Sequence, residues 1–255
     1  MSNKIILLAG NGDSTRYMFN GLKDTFEIDK VIIEESISKK KFLKKRVKKL
    51  GAFTVFGQLI FQVVCVKLLK MSSKKRTLEI IEENKLSLAD IPEDKLIRVS
   101  SVNSNECKNL LQEINPAVII VNGTRIISKK ILNSTEAFFV NTHAGITPKY
   151  RGVHGAYWAL ATNDVDNCGV TVHLVDAGID TGGVLYQENI TVSKKDNFTT
   201  YTLLQVAKGI QLMKKALKDI TANKIEIKNV KSESKLWSHP TVWKYIFVRI
   251  TKGVK

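Results

Sequence analysis

The sequence predicts an α/β fold in which a mostly parallel sheet is covered by helices. Short apolar runs alternate with helical patterns along the chain, and the first apolar run is followed by a glycine turn and a helix. Such alternation is typical of parallel strands joined by helical crossovers. A chain of 255 residues can bury a full core. We predict a main domain over residues 1–220 that carries a helical insertion at residues 37–78, and an extension over residues 221–255.

The predicted elements follow from the spacing of apolar residues along the chain. Residues 117–121 read Ala-Val-Ile-Ile-Val and predict an apolar strand, whereas residues 198–218 have the apolar spacing of an amphipathic helix. The predicted strands cover residues 4–9, 31–33, 96–99, 117–121, 137–140, 170–175 and 184–191. The predicted helices cover a first segment that ends near residue 23, then residues 77–85, 105–114, 154–161 and 198–218.

A glycine turn formed by Gly10, Asn11 and Gly12 lies between the first strand and the first helix. Backbone N–H groups in such a turn and the helix N-terminus can face an anion, so the turn is a candidate phosphate site. An ordinary strand-to-helix turn has the same pattern, and that interpretation stays open. Asp13 follows the turn, and its carboxylate would repel a phosphate if it pointed inward.

Composition and cysteine usage favour a reducing, cytoplasmic location. Cys65, Cys107 and Cys168 are scattered, which indicates a chain without disulfides. No pair of His or Cys has zinc-ligand spacing with a third ligand, so we expect no metal. The apolar run at residues 4–9 is expected to be a strand and not part of a signal peptide. The formal net charge of +16 is unevenly spread.

The insertion at residues 37–78 holds 13 Lys or Arg and no acidic residue. Its first part, residues 39–50, predicts a basic amphipathic helix. Its second part, residues 52–69, is nearly all apolar, although Thr54, Gln58 and Gln62 form a narrow polar stripe at intervals of four residues.

Four interpretations of this insertion can be compared. A membrane-spanning helix has sufficient length, but a single span would separate strands that must pair in one sheet. A helix lying in the headgroup region of an anionic membrane and a helix packed on its own domain both remain open. Nucleic-acid binding is disfavoured, because no recognised module accompanies the charge.

The chemistry-bearing residues lie between residues 141 and 183. Asn141 and His143 are i and i+2 at the end of a predicted strand, so their side chains leave on the same side. Asp176 and Asp180 lie in a glycine-rich turn, where a carboxylate can approach closely. An amide, an imidazole and a carboxylate are the groups that assist the attack of an amine on a carbonyl carbon.

With the Pro-Lys-Tyr-Arg-Gly loop at residues 148–152 between the Asn-x-His triplet and the Asp turn, this stretch resembles the folate-dependent formyltransferase family. The resemblance covers residues 4–220 without the insertion, and it implies a Rossmann-like sheet. It assigns the catalytic roles to Asn141, His143 and Asp180, and it matches His173 to a histidine on the strand before the Asp. Gly145 departs from the family, in which a Ser is common at this position.

The resemblance also implies N10-formyltetrahydrofolate as the cosubstrate. The candidate residues for the cosubstrate site are Arg125, Ile126, Ile127 and Asp176. By the resemblance, Gly10, Asn11 and Gly12 match a turn that holds the phosphate of the amine substrate in the family's purine-pathway members. Further candidates for contact with the amine substrate are Lys149, Tyr150, Arg151 and His154.

Sequence features outside the catalytic motif limit the choice of acceptor amine. A tRNA acceptor is disfavoured because the family's tRNA-directed members carry a second barrel domain that residues 225–255 are too short to form. Glycinamide ribonucleotide is supported by the glycine turn but disfavoured by Asp13 and the insertion. We therefore favour an amino sugar, linked to a nucleotide or a lipid, in surface glycan synthesis. A non-catalytic folate- or nucleotide-binding module recruited to the membrane is the remaining alternative, and the oligomeric state is not predicted.

The extension is basic and aromatic, with Trp237, Trp243, Tyr245 and Phe247 among its residues. We expect a helix docked on the core. A membrane interface and a surface that stacks on sugars or bases are the alternatives.

Overall fold

The structure, a computed structural model, describes residues 3–36 and 38–255. Ile37, the first residue of the predicted insertion, therefore lies outside the described residues. The described strands are β1 Ile5–Gly10, β2 Ile28–Glu34, β3 Leu96–Val99, β4 Val118–Asn122, β5 Phe138–His143, β6 Arg151–Gly152, β7 Gly169–Leu174, β8 Val184–Asn189 and β9 Leu236–Trp237.

Seven of these strands form one sheet in the order β3-β2-β1-β4-β5-β7-β8. The pairs from β3 to β5 are parallel, whereas β5 with β7 and β7 with β8 are antiparallel. A separate two-stranded ladder joins β6 to β9. The predicted mostly parallel, helix-covered sheet is confirmed.

Helices cover both faces of the sheet. They are α1 Asp13–Leu22, α2 Lys39–Leu50, α3 Ala52–Ile60, α4 Val66–Ser72, α5 Lys74–Glu83, α6 Asn105–Ile114, α7 Lys129–Leu132, α8 Gly155–Ala161, α9 Phe198–Thr221 and α10 Val242–Lys252. A π-helical turn at Phe61–Cys65 joins α3 to α4, and short 3₁₀ turns lie at Glu93–Lys95 and Val165–Asn167.

The sheet separates two hydrophobic cores because side chains alternate along a strand. On β1, Ile5 and Leu7 point into the larger core, and Ile6 and Leu8 point into the smaller one. The larger core holds side chains of α1, α8, α9 and α10, whereas the smaller core holds those of α6 and α7. The central strands are therefore buried on both faces, which explains their uninterrupted apolar sequences.

Helix α9 supports the strand that carries the Asn-x-His triplet. Its N-terminus is fixed by a capping box, in which Asn197 accepts from the Thr199 N–H and Thr200 accepts from the Asn197 N–H. Further along the helix, a Cβ placed on Gly209 would lie 2.5 Å from Cγ2 of Thr142 on β5. The glycine therefore lets α9 pack directly under β5.

The insertion packs on the domain through α3, the π turn and α4, which together form a continuous helical rod, Ala52–Ser72. This rod is long and apolar enough by length and composition to cross a membrane, with a mean hydropathy of 1.9, and 28% of that window is buried. Phe61 lies in the larger core between Phe198 and Tyr245. The Ser73 hydroxyl, also buried, lies 2.7 Å from the Leu69 carbonyl oxygen, to which it donates.

Candidate active site

The antiparallel pairing of β5 with β7 brings Asn141 opposite His173. The Asn141 amide Nδ2 lies 3.1 Å from Nε2 of His173. His173 Nδ1 lies 2.7 Å from the carbonyl oxygen of Leu174, to which it can only donate. Nε2 therefore accepts the Asn141 amide proton, and the imidazole is neutral. Burial lowers the pKa of His173, which agrees with this tautomer.

Asp180 lies between two imidazoles. Its Oδ2 is 3.3 Å from Nδ1 of His143, and its Oδ1 is 3.9 Å from Nε2 of His173. The Gly152 backbone N–H donates to Oδ2 at 2.9 Å. Asp180 has a φ of 51°, the left-handed conformation that directs its side chain back toward β5. The predicted residues Asn141, His143 and Asp180 are therefore brought together with His173.

The Asp180 carboxylate is held in its ionised form. Burial would raise its pKa, but the hydrogen bond and charge of His143, together with the Gly152 N–H, lower the pKa below the ordinary value. A carboxylate that is only 16% exposed stays ionised because it has such partners.

The second carboxylate of this turn, Asp176, has a different role. It accepts the Gly178 backbone N–H at 2.9 Å and the Thr181 hydroxyl at 2.7 Å, and so braces the turn that presents Asp180. Asp180, and not Asp176, faces His143.

The imidazole of His143 is buried and makes contact through both nitrogens. Nδ1 faces Asp180, and Nε2 lies 2.7 Å from the Tyr150 carbonyl oxygen. Both partners of the ring, the Tyr150 carbonyl oxygen and the Asp180 carboxylate, are hydrogen-bond acceptors.

Gly145 makes this position of the His143 ring sterically accessible. A Cβ on Gly145 would lie 2.9 Å from Nε2 of His143 and would collide with the Tyr150 carbonyl oxygen. A Gly at this position, where a Ser is common in the family, therefore leaves room for the close contact between His143 and Tyr150.

The predicted substrate loop is braced by side-chain pairs. Lys149 Nζ lies 2.6 Å from Oδ2 of Asp164, and the Tyr150 hydroxyl donates to the same oxygen at 2.6 Å. Arg151 donates to the Ile179 carbonyl oxygen at 3.1 Å, next to Asp180. These contacts hold the loop against the catalytic turn, and substrate contact by Lys149, Tyr150 and Arg151 stays a prediction.

His154 lies against the extension. Its Nε2 is 2.9 Å from Nδ1 of His239, which in turn lies 3.0 Å from the Gln62 amide. Burial, with the charge of His239, lowers the pKa of His154 to about 3. The sequence offered no partner for His239. Its contacts join residues 62, 154 and 239, which are far apart in the sequence, so no local sequence pattern could predict them.

The glycine turn lies at the end of β1, next to the turn that follows β4. A Cβ at Gly10 would lie 2.5 Å from the Gly123 carbonyl oxygen. Asn11 and Gly12 line a cavity of about 480 Å³ together with Arg16 and Arg98. Asp13, whose carboxylate would repel a phosphate if it pointed inward, forms a 2.7 Å ion pair with Arg16. Phosphate binding at this turn stays a prediction.

The predicted cosubstrate residues occupy different environments. Arg125 forms a 2.5 Å ion pair with Glu34 and also donates its backbone N–H to that carboxylate at 2.6 Å. Ile126 is 59% exposed, whereas Ile127 is buried in the smaller core. Glu34 is a residue that the sequence did not indicate, since its partner lies 91 positions away.

A cavity of about 540 Å³ lies between α7, the start of β5 and the turn after β7. Asp176 lines it together with Leu132, Phe139 and Val175. Ile127 belongs to the same smaller core as Phe139, with Val175 packed against it. A cavity with both apolar and polar walls and an acidic edge is suited to a flat heterocycle that carries N–H donors. Among the described residues, no group of three His, Cys, Asp or Glu is placed to hold a metal ion.

Residues 39–217 match a family model described as formyl transferase. The methionyl-tRNA formyltransferase of Caldanaerobacter subterraneus subsp. tengcongensis is 31% identical over 141 residues, which are 54% of this chain and 45% of that protein. The methionyl-tRNA formyltransferase of Kosmotoga olearia is 32% identical over 128 residues, 50% of this chain and 41% of that protein. The chain therefore spans less than half the length of these curated relatives.

Solved structures share the fold. A sugar N-formyltransferase from Shewanella sp FDAARGOS_354 has a TM-score of 0.57 at 13% identity, covering 91% of this chain and 76% of that chain. The phosphoribosylglycinamide formyltransferase of Streptococcus pneumoniae TIGR4 has a TM-score of 0.55 at 18% identity, covering 86% and 99%. An N-formyltransferase from Helicobacter canadensis in complex with folinic acid and dTDP-3-aminofucose has a TM-score of 0.53 at 19% identity, covering 93% and 71%.

We predict that Gly145→Ala destabilises the protein by about 1–3 kcal/mol, because overpacking forces buried groups apart. The measurement is the free energy of unfolding from urea titrations. Gly12→Ala is the matched control, since a Cβ there would meet no atom closer than 4.0 Å. An equal effect of the two substitutions would contradict the steric role of Gly145.

We also predict that Asp180→Asn removes a pH-dependent part of the stability. A carboxylate with a lowered folded-state pKa stabilises the protein fully above its ordinary pKa of 3.8 and loses that contribution as the pH falls through the folded value. The difference in unfolding free energy between the wild type and Asp180→Asn should thus be larger at pH 6 than at about pH 3. Asp176→Asn, in the same turn, is the control, and a difference that does not change with pH would refute the prediction.

Proposed function

The chain belongs to the formyl transferase family, and on that premise we propose that it transfers the formyl group of N10-formyltetrahydrofolate to the primary amine of an amino sugar. The sugar is carried on a nucleotide or a lipid. The observation that carries the proposal is the cluster at the end of β5, in which the Asp180 carboxylate lies between His143 and His173 and Asn141 is oriented by His173.

The cluster supplies the groups that formyl transfer requires. N10-formyltetrahydrofolate provides an activated formyl group, whose carbon forms a bond to the amine nitrogen as its bond to the folate nitrogen breaks. Asn141 has a second amide N–H without a protein partner among the described residues, and this donor stabilises the negative charge that develops on the formyl oxygen.

His143 and Asp180 manage charge and protons in this scheme. The Asp180 carboxylate lies 3.3 Å from Nδ1 of His143 and orients the imidazole. A proton lost by the attacking amine is transferred to the departing folate nitrogen, so that atoms and charge balance. Catalysis then comes from positioning and electrostatics, without a covalent enzyme intermediate.

The cavity lined by Leu132, Phe139, Val175 and Asp176 supports binding of the cosubstrate's pterin ring. The apolar side chains can pack on the ring, and the carboxylate can accept from its N–H groups. The exposed Ile126 and the backbone that Arg125 anchors on Glu34 complete our proposed site.

The amino-sugar acceptor rests on two supports. Neighbours of the same fold are named sugar N-formyltransferases, and one is in complex with dTDP-3-aminofucose. In this chain, an apolar groove of about 1010 Å³ runs along α4, α5 and α9 to Ser14, beside the glycine turn. Lys67, Lys70 and Lys74 line it, so a hydrocarbon chain with a phosphate headgroup would be matched in polarity.

The names of the relatives and structural neighbours suggest other acceptor amines, which should be compared in one assay. The curated relatives are named for methionyl-tRNA, and a structural neighbour for phosphoribosylglycinamide. A module that binds folate or a nucleotide without reacting is the non-catalytic alternative. A cytoplasmic location also stays a prediction.

The decisive assay follows tetrahydrofolate release by absorbance with each acceptor in turn: nucleotide-linked amino sugars, a lipid-linked amino sugar, glycinamide ribonucleotide and methionyl-tRNA. We expect turnover with an amino sugar. We expect Asn141→Ala to lower kcat by about 10²–10³, because it removes an oxyanion donor. We expect His143→Ala to lower kcat by about 10²–10⁴, because it removes the proton-handling group.

Val165→Ser, an exposed position outside the site, is the control and should keep full activity. Turnover only with glycinamide ribonucleotide or methionyl-tRNA would replace the proposed acceptor and retain the chemistry. Binding of folate without turnover for any acceptor would refute the enzymatic proposal.

A further inference from the structure

The helical rod Ala52–Ser72 buries polar as well as apolar side chains on its inward side and exposes large apolar side chains on its outward side. Gln58 is buried and donates to the His239 carbonyl oxygen at 2.7 Å, and Gln62 contacts the His239 ring. The outward side is apolar, with Phe53 73% exposed. A helix on a water-facing surface normally turns its apolar stripe toward the core.

Helix α10 shows the same outward apolar stripe. Trp243, Ile246, Phe247 and Ile250 follow i, i+3, i+4 and i+7 spacing, and all four are exposed. The buried side of α10 contributes Tyr245 and Val248 to the larger core. A four-residue stripe facing outward at helical spacing differs from the singly scattered exposed apolar residues of ordinary surfaces.

The rod and α10 lie side by side. The rings of Phe53 and Trp243 stack at 4.4 Å, and Phe61 contacts Tyr245 at 4.9 Å. A Cβ on Gly57 would collide with the Trp243 ring, so the glycine permits this packing. The two stripes thus form one apolar face, which consists of Phe53, Phe56, Val63, Val64, Leu68, Met71, Trp243, Ile246, Phe247 and Ile250.

The segments that carry the apolar face have no negative charge. Residues 37–78 hold 13 Lys or Arg, residues 234–255 hold five, and neither segment has an Asp or Glu. Lys44, Lys45, Lys48 and Lys49 are exposed on α2, which packs on α3. The charged side chains that these two segments bring to the apolar face are therefore all cationic.

We infer that the apolar face docks the protein on an anionic lipid surface, with the rod and α10 lying in the headgroup region. Apolar side chains enter the boundary of the acyl chains, and the flanking Lys and Arg pair with anionic headgroups. Trp243 has the amphipathic ring that is enriched at this depth of a membrane.

Two other arrangements fit the observations less well. A second copy of the chain would bring two basic segments without acidic residues together, which costs electrostatic energy. A membrane-spanning rod would have to withdraw Phe61 from the core and place Gln58 and Gln62 in hydrocarbon without their partner His239.

Docking would also bring the groove beside α4 to the lipid surface. Lys67, Lys70 and Met71 line the groove and lie on the same rod as the apolar face. The docking surface itself does not depend on which amine the site formylates.

The test is flotation of the full chain with vesicles of mixed phosphatidylglycerol and phosphatidylcholine, against vesicles of phosphatidylcholine alone. We expect binding to the anionic vesicles that weakens at high salt. We expect Phe56→Ser/Leu68→Ser and Phe247→Ser/Ile250→Ser each to lower the partition coefficient at least about tenfold, since each pair removes two inserted side chains. Changing Lys44, Lys45, Lys48 and Lys49 to Gln should weaken binding to anionic vesicles without altering the apolar face.

Val165→Ser is the matched control, because Val165 is 63% exposed and outside the apolar face. Circular dichroism melts check that each variant is folded, and the tetrahydrofolate assay with a soluble acceptor separates docking from the chemistry. Unchanged vesicle binding by both double variants would overturn the inference. So would a solution dimer that the double variants dissociate in the absence of vesicle binding, or vesicle binding that resists alkaline extraction as a spanning helix does.

Discussion

The ionised carboxylate of Asp180 is the interaction on which the candidate site depends. It connects three segments: its own turn after β7, the end of β5 through His143, and the loop at residues 148–152 through the Gly152 N–H. A largely buried charge must keep its partners, because an unpaired carboxylate at this position would destabilise the protein. The demand for satisfied partners therefore fixes the mutual positions of the three segments, and the left-handed backbone at Asp180 is the conformation that meets it.

The backbone also orients the two histidines. The Leu174 carbonyl requires a proton on Nδ1 of His173, which leaves Nε2 to accept from Asn141 and so orients the amide. The His143 ring is held between two acceptors, with the Tyr150 carbonyl oxygen at Nε2 and the Asp180 carboxylate at Nδ1. Both rings therefore face the same carboxylate, and each is fixed on its other side by a backbone carbonyl oxygen.

What could be predicted from the sequence depended on whether the signal was local. The motif predicted that Asn141, His143 and Asp180 form one site, because the order and spacing of its residues can be read directly from the sequence. The first strand, predicted at residues 4–9, is found at Ile5–Gly10. The second strand begins three residues before its predicted start of 31, because the polar residues Asp29 and Lys30 interrupt the apolar pattern. Pairs such as Arg125 with Glu34 and His154 with His239 join distant segments, and no periodicity encodes them.

The orientation of the insertion helices also could not be predicted from the sequence. The sequence indicated the helical periodicity of the insertion and its polar stripe, but periodicity does not determine which side of a helix packs on the domain. The structure turns Gln58 and Gln62 toward His239, and His239 toward His154, two residues after the Gly152 whose N–H holds Asp180. Burial, with the charge of Arg46, lowers the pKa of His239 to about 4, so this contact between two histidines is neutral at physiological pH and needs no counter-ion. The inward side of the rod therefore rests, through neutral hydrogen bonds, on the loop that completes the candidate site, while its outward side forms the apolar face. The apolar face and the candidate site are thus linked by one contiguous set of contacts.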